Sequence, residues 1–207
     1  TPAAEPIDAS VRFAETLRPQ FHFSAPVAPA DSLLQDPNGL VYYRGQWHLF
    51  HQSGSDSHDW AHAVSDDLVH WQTRPVAVEG EPNANMFSGS GVVDVDNLSG
   101  MKTGDDDPVL LFYTRQPSGA RFRKEASTQG MAYSLDGGKT FAKYAGNPVL
   151  RTADLCDRDP LVFYYPPARE FLMWLHLSHN DDHDKSVFGL YRCVDPKAWK
   201  WEQIQMF

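Results

Sequence analysis

The sequence predicts an all-β fold of the propeller type, on three observations. Short apolar or alternating runs follow one another between turn signals, with little helical periodicity after the first twenty residues. They fall into three sets of four, the first spanning about forty residues, the size of one propeller blade. The third run of each set leads to a turn and then an aromatic: Asp67 to Trp71, Asp136-Gly137-Gly138 to Phe141, Asp195-Pro196 to Trp201.

In the first set, Val41-Tyr42-Tyr43, the turn Arg44-Gly45 and Gln46-Trp47-His48-Leu49-Phe50-His51-Gln52 read as a hairpin. Trp60 to Ser65 is the third strand, Asp66-Asp67 the turn, and Trp71 to Arg74 the fourth. The second set comprises Gly89 to Asp94, Val109 to Thr114, Gln129 to Ser134 and Phe141 to Tyr144. The third comprises Arg158 to Tyr164, Glu170 to His176, Ser186 to Arg192 and Trp201 to Ile204. Blades are expected over about 36–75, 86–148 and 156–207, after an N-terminal segment 1–30. Gly100 to Pro108, with its three consecutive aspartates, and Gln116 to Ser127, around Arg121-Phe122-Arg123-Lys124, read as solvated surface loops. Closed propellers use about four to eight blades, so three legible ones imply that others lie elsewhere. The apolar ending Ile204-Gln205-Met206-Phe207, inside a strand pattern, also reads as a fragment.

Composition narrows the function. The 207 residues, 42% apolar and 22% charged, suit one globular domain. Eighteen basic residues against 27 acidic ones leave a net charge of −9, which argues against broad attraction to nucleic acid or anionic lipid. No apolar run approaches the ~18–20 residues of a membrane span. Aromatics at 13%, with six Trp, suit a β-rich fold or a sugar-binding surface. Cys156 and Cys193 are either paired or buried thiols, and the latter is the more common state. The opening Thr1-Pro2-Ala3-Ala4, without Met, fits either a cleaved signal or an artificially shortened chain, and a secreted, extracellular setting is the expectation.

The first strand of each propeller blade lines the central channel, so carboxylates beside such strands are the candidates for chemistry. Asp36 heads Asp36-Pro37-Asn38-Gly39-Leu40 before the first strand; DPNG alone also reads as a type I turn. Asp159 follows Arg158 at the start of the third set, where, taken singly, it reads sooner as half of a structural ion pair than as a catalytic group. No metal or cofactor is expected, because H-E-x-x-H, zinc spacings, G-x-S-x-G and phosphate loops are all missing. The run His179-Asn180-Asp181-Asp182-His183-Asp184 reads as a hairpin tip sooner than a cation site. Ser134-Leu135-Asp136-Gly137-Gly138-Lys139-Thr140-Phe141 resembles the Asp-box turn of sialidase propellers, which stabilises a hairpin.

Five blocks in order resemble glycoside hydrolase family 32: invertases, exo-inulinases, levanases and related fructosyltransferases. Leu34-Gln35-Asp36-Pro37-Asn38-Gly39 matches W-M-N-D-P-N-G from its Asp onward, and Gln46 to Gln52 is similar to Y-H-L-F-Y-Q. Trp60 to Ser65 with Asp67-Leu68-Val69-His70-Trp71 is close to W-G-H-A-V-S-x-D-L-V-H-W. Phe87-Ser88-Gly89-Ser90 matches F-S-G-S, and Arg158-Asp159-Pro160 matches R-D-P. The resemblance implies a five-bladed propeller, of which about three blades are present, usually followed by a β-sandwich. It implies a retaining hydrolase of β-D-fructofuranosyl bonds in sucrose, inulin, levan or fructo-oligosaccharides. Asp36 would be the nucleophile and Asp159 the stabiliser of fructosyl hydroxyls. Gln35, Asn38, Gln52, Trp60, Phe87, Ser88 and Arg158 would line the fructose pocket.

The departures are specific. Leu33 and Leu34 stand where Trp and Met are usual, and Gln35 replaces Asn. The family's acid/base Glu, in an E-C motif about fifty residues beyond R-D-P, would fall just past Phe207. Glu170 and Glu202 read as exposed strand positions. The chain alone is therefore expected to hydrolyse fructans negligibly, lacking leaving-group protonation typically worth ~10²–10⁴-fold. A longer parent chain, a second polypeptide or a partner copy would complete the ring. Two other readings compete: a non-catalytic fructan-binding or assembly subunit, and a related five-bladed furanosidase acting on arabinan or xylan.

Overall fold

The computed structural model describes residues 23–24, 34–54, 59–122, 124–152, 154–178 and 186–207. Among them are three antiparallel sheets and no α-helix. The first is a meander of β1 (Pro37–Tyr43), β2 (Gln46–Ser53), β3 (Asp59–Ser65) and β4 (Gln72–Val78). The second joins β5 (Ala84–Val93), β6 (Val109–Pro117), β7 (Thr128–Ser134) and β8 (Ala142–Lys143), with β9 (Leu150–Arg151) also on β7. The third is β10 (Arg158–Tyr165), β11 (Glu170–Leu177), β12 (Val187–Asp195) and β13 (Lys200–Met206). This is the all-β, propeller-type arrangement expected from the sequence.

Local chemistry explains the meanders. Arg44 and Gly45 both take positive φ, 49° and 84°, as a two-residue hairpin turn requires. The turns after β3 and β7 are built alike. Ser65 Oγ accepts the Leu68 N–H at 2.8 Å, and Asp67 Oδ1 accepts the Val69 and His70 N–H groups at 2.9 and 2.7 Å. Ser134 Oγ accepts from Gly138 N at 2.9 Å, and Asp136 Oδ1 accepts from Lys139 and Thr140 N at 3.0 Å each.

The sheets pack face to face, with two apolar layers between them. Val41, Phe50, Trp60, Val78 and Met86 meet Val109, Leu111 and Tyr113 in the first layer. Leu110, Phe112 and Met131 meet Val162, Phe171, Met173 and Leu175 in the second. Successive residues of β6 thus serve opposite layers. A strand buried on both faces needs a continuous apolar run, and Val109 to Tyr113 supplies it. Strand β11 buries one face only, so its residues alternate between buried and half-buried.

The aromatic after each third-strand turn reaches back to earlier chain. Phe141 sits edge-on to Phe50 at 5.3 Å, and Trp71 sits against Phe23 at 5.6 Å. After β12 the aromatic that is fully buried is Trp199, 5.4 Å from Phe112 and 5.7 Å from Phe171. Trp201, the aromatic expected there, lies beside it, 6.1 Å from Phe112.

Some expectations are corrected. The Asp36-Pro37-Asn38-Gly39 segment is no type I turn, because β1 begins at Pro37 with a bulge before Gly39. Strand β5 starts at Ala84, five residues before the expected Gly89, since its bulge between Phe87 and Gly89 hides the alternation. Gln116 and Ser127 are buried rather than solvated: Gln116 continues β6, and Ser127 Oγ donates to the Asp157 carbonyl. Glu170 is half-buried and paired with Arg192 at 3.2 Å, whereas Glu202 is exposed. Cys156 and Cys193 are buried free thiols, and burial pushes Cys193 up to about 12. The run 179–184 lies outside the described residues.

Between the first two sheets, His48 Nδ1 lies 3.1 Å from His62 Nε2, the rings stacked beneath Phe50 and edge-on to Phe141. Burial first, then His48 and Arg74, lower His62 from 6.5 to about 3. Unfolded His62 takes up its proton near 6.5, so below that pH the unfolded chain binds more protons. Stability present above 6.5 is therefore lost as pH falls toward 3, by about 3 kcal/mol near pH 4.5. Thermal melts between pH 7 and 4.5 should show a shallower acid loss for His62→Gln than for wild type; equal slopes would refute the assignment.

Candidate active site

The first strands of the three sheets run side by side, with β5 between β1 and β10. Small residues permit this. A Cβ on Gly91 would stand 2.6 Å from Val41 Cγ2, and one on Gly89 would stand 1.9 Å from the Phe112 carbonyl oxygen. Both values are shorter than atoms tolerate, so only glycine lets β5 sit this close to β1 and β6.

Asp36 sits at the head of β1. Pro37 has no N–H, so the ladder to β2 continues around it: Gln52 N donates to Asp36 O at 3.0 Å and Gln35 N to Gln52 O at 3.1 Å. The Asp36 carboxylate accepts the Ser88 hydroxyl at 2.9 Å, from the β5 bulge. Asn38 is buried beneath, its amide nitrogen facing Asp36 O at 3.3 Å and Ser88 Oγ at 3.0 Å. Its oxygen faces Gln52 N at 3.3 Å and Trp60 Nε1 at 2.9 Å. Gln52 Nε2 reaches toward Met86 O at 3.5 Å. Asp36, Asn38, Gln52, Ser88 and Phe87 therefore form one connected group, with Gln35 at its edge.

Trp60 departs from the expectation. Its side chain is fully buried, and its N–H reaches the Met86 and Phe87 carbonyls at 3.2 Å each. It offers no ring face to a sugar; instead it buttresses the bulge that presents Phe87 and Ser88.

Asp159 lies on β10, beyond β5 from Asp36. Its φ is +61°, a left-handed conformation costing about 1–3 kcal/mol in a non-glycine residue, of the kind that collects at functional sites. The left-handed residue coincides with the bulge between Arg158 and Leu161. Pro160 cannot donate to a neighbour, so Ser90 on β5 bridges the gap. Its Oγ donates to Pro160 O and accepts from Val162 N, both at 2.8 Å. Ser90 thereby ties F-S-G-S to R-D-P, and the sequence alone did not single it out.

The carboxylate of Asp159 is open to solvent on one side, with 48% of its side chain exposed, and walled by protein on the others. Desolvation from those walls raises it above the usual carboxylate range, and the charge of Asp36 raises it further; Arg158 and His176 pull it back. Arg158 Nε lies 3.5 Å from the carboxylate, and its guanidinium also donates to Cys156 O at 3.1 Å. Asp36 and Asp159 thus lie on different sheets, with β5 between them. Asp159 also borders a cavity of about 450 Å³ lined by Leu161, Trp174, Phe188 and Phe207. Among the described residues, no group of three or more His, Cys, Asp or Glu is placed to hold a metal ion.

Residues 22–206 match the family model for the glycosyl hydrolases family 32 N-terminal domain. The chain belongs to that family. A levanase of Bacillus subtilis is 41% identical, over 93% of this chain and 30% of the levanase. An invertase of Schizosaccharomyces pombe is 40% identical, over 93% of this chain and 32% of its own length. The chain thus spans about a third of the length of these two curated relatives. Among solved structures, a β-fructofuranosidase from Schwanniomyces occidentalis complexed with fructosyl-erythritol superposes with a TM-score of 0.78. It is 31% identical, over 97% of this chain and 38% of that one. An exo-inulinase from Aspergillus awamori gives the same TM-score at 28% identity, over 94% of this chain and 40% of that one. These relatives are thus named levanase, invertase, β-fructofuranosidase and exo-inulinase, all of them glycoside hydrolases.

Proposed function

We propose that this chain forms the fructosyl-binding side of a retaining β-fructofuranosidase site, with Asp36 as nucleophile and Asp159 holding the sugar's hydroxyls. The observation that carries this reading is the placement of Asp36 and Asp159 on either side of β5, whose Ser88 binds the Asp36 carboxylate and whose Ser90 clamps the residues after Asp159. Cleavage of a fructofuranosyl bond passes through an oxocarbenium-like transition state. An ionised carboxylate beside the anomeric carbon stabilises that charge, then forms the glycosyl–enzyme bond as the leaving oxygen departs with a proton. The Ser88 hydroxyl orients the Asp36 oxygen it touches, leaving the other for attack. Asp159, with Arg158 alongside, accepts hydrogen bonds from fructosyl hydroxyls, which strengthen as the ring flattens.

The proton donor is assigned to a Glu outside residues 1–207. Among the described glutamates, Glu79 is exposed just beyond β4, Glu81 is held by Arg115 and Lys143, Glu170 is paired with Arg192, Glu125 lies 3.6 Å from Arg121, and Glu202 is on an outermost strand. Either further chain or a partner polypeptide completes the site. The relatives described as extracellular exo-inulinases favour a secreted protein.

The test is a substrate panel with full-length protein: sucrose, inulin, levan, arabinan and xylan, with methanol as a trapping acceptor. Release of fructose and formation of methyl β-fructofuranoside are expected, because two displacements preserve configuration. Arabinose or xylose release, or sugar binding without turnover, would overturn the reading in favour of a furanosidase or a binding subunit.

A further inference from the structure

The left-handed backbone at Asp159 needs something to hold it, and the structure contains a device suited to that purpose. The Asp159 N–H donates to Thr114 Oγ1 at 2.9 Å, from the neighbouring sheet. Thr114 Oγ1 donates its own proton to Gln129 Oε1 at 3.0 Å, and Gln129 Nε2 donates to the Asp157 carbonyl at 3.0 Å. That carbonyl also accepts from Ser127 Oγ, and the Asp157 carboxylate accepts the Ser178 N–H at 2.8 Å. Thr114, Gln129, Ser127 and Ser178 are fully buried, and Asp157 is 2% exposed.

The direction of each bond is determined. Turning the Gln129 amide over would set its oxygen against the Asp157 carbonyl, so the nitrogen stays there and the oxygen faces Thr114. A threonine hydroxyl has one proton, and Gln129 takes it. Only lone pairs are left toward Asp159, which suits an N–H donor and no other group. Burial removes water as a substitute partner, so the chain of bonds has one arrangement.

We infer that Thr114 and Gln129 are positioning residues, a buried strut from β6 and β7 that fixes the backbone of Asp159 and thereby aims its carboxylate at the sugar. The inference rests on the reading of Asp159 as a sugar-binding group. Ser90 holds the chain just after Asp159, at Pro160 and Val162, and the strut holds it at Asp159 itself. A carboxylate gripped at both ends of a strained turn is preorganised, and a misplacement of about 1 Å in such a group costs up to ~100-fold in rate.

The experiment compares Thr114→Val, Thr114→Ser, Gln129→Met and Asp159→Asn in the full-length protein, by initial rates of sucrose hydrolysis. Thr114→Val keeps the shape and removes the acceptor; kcat/KM should fall about 10- to 100-fold. The loss should divide between kcat and KM in the same proportion as for Asp159→Asn, and Thr114→Ser should restore the rate to within about threefold. Added to Asp159→Asn, Thr114→Val should cost little more, because it acts through the group already removed. If Thr114→Val does not fold, Gln129→Met carries the test, with an expected loss of about 3- to 10-fold. Wild-type rates in the folded strut variants, or an additive loss in the double variant, would overturn the inference while leaving Asp159's role intact. Wild-type rates in Asp159→Asn would instead remove that role.

Discussion

Replacing Asp36 by Asn is expected to reduce fructose release by about 10⁴-fold or more, the scale on which loss of a covalent nucleophile is felt. The exchange is nearly isosteric. The amide oxygen still accepts from Ser88 Oγ, and the backbone bonds from Asp36 O to Gln52 and from Gln35 N to Gln52 O do not involve the side chain. Thermal stability should stay within about 1 kcal/mol of wild type, because a solvent-exposed carboxylate contributes little to folding. In the proposed mechanism, what disappears is the negative charge facing the anomeric carbon and the oxygen that forms the covalent bond. Removing that charge also lowers the pKa of Asp159, since nearby like charges oppose each other's ionisation. Initial rates on sucrose, together with a carboxyl-resolved NMR titration, measure both effects. A variant within tenfold of wild type would exclude Asp36 as nucleophile.

The sequence made one part of this site legible and concealed another, for a physical reason. Asp36 and Asp159 stand out because each precedes or opens a first strand and is followed by Pro, a pairing that a composition-driven strand does not need. The residues that hold them do not stand out. Thr114 ends an apolar strand run and looks like any β-branched residue; its hydroxyl matters because β10 passes beside it, a long-range fact. Ser90 had a visible motif, F-S-G-S, but its partners Pro160 and Val162 lie about seventy residues away. Trp60 misled in the opposite direction. An indole lining a sugar pocket suggests stacking on sugar, whereas this one is sealed between sheets and turns its N–H toward the Asn38 amide oxygen and the Met86 and Phe87 carbonyls. Burial of a side chain on a strand covered on both faces does not show in local alternation.

Asp159→Asn should lower kcat/KM by about 10²–10³-fold, the effect of removing one group that binds a developing transition state. Asparagine is the informative substitution because, after glycine, it is among the residues that best tolerate left-handed backbone. The +61° φ survives, as do the Asp159 N–H bond to Thr114 and the Ser90 clamp on the following residues, so the change is confined to charge and acceptor strength. Alanine at this position would add backbone strain to the loss of the carboxylate and mix the two effects. The direction of the pH effect also follows. Desolvation, with Asp36, raises the Asp159 carboxyl, so in wild type it loses its charge at a higher pH than an ordinary aspartate. If ionised Asp159 is the form that grips the fructosyl hydroxyls, the acid limb of kcat/KM lies above the usual carboxylate range, and Asp159→Asn removes that limb. Fructose binding measured calorimetrically should weaken in parallel and lose its pH dependence. An unchanged acid limb in Asp159→Asn would mean that another group sets it, and full activity would reduce Asp159 to the partner of Arg158.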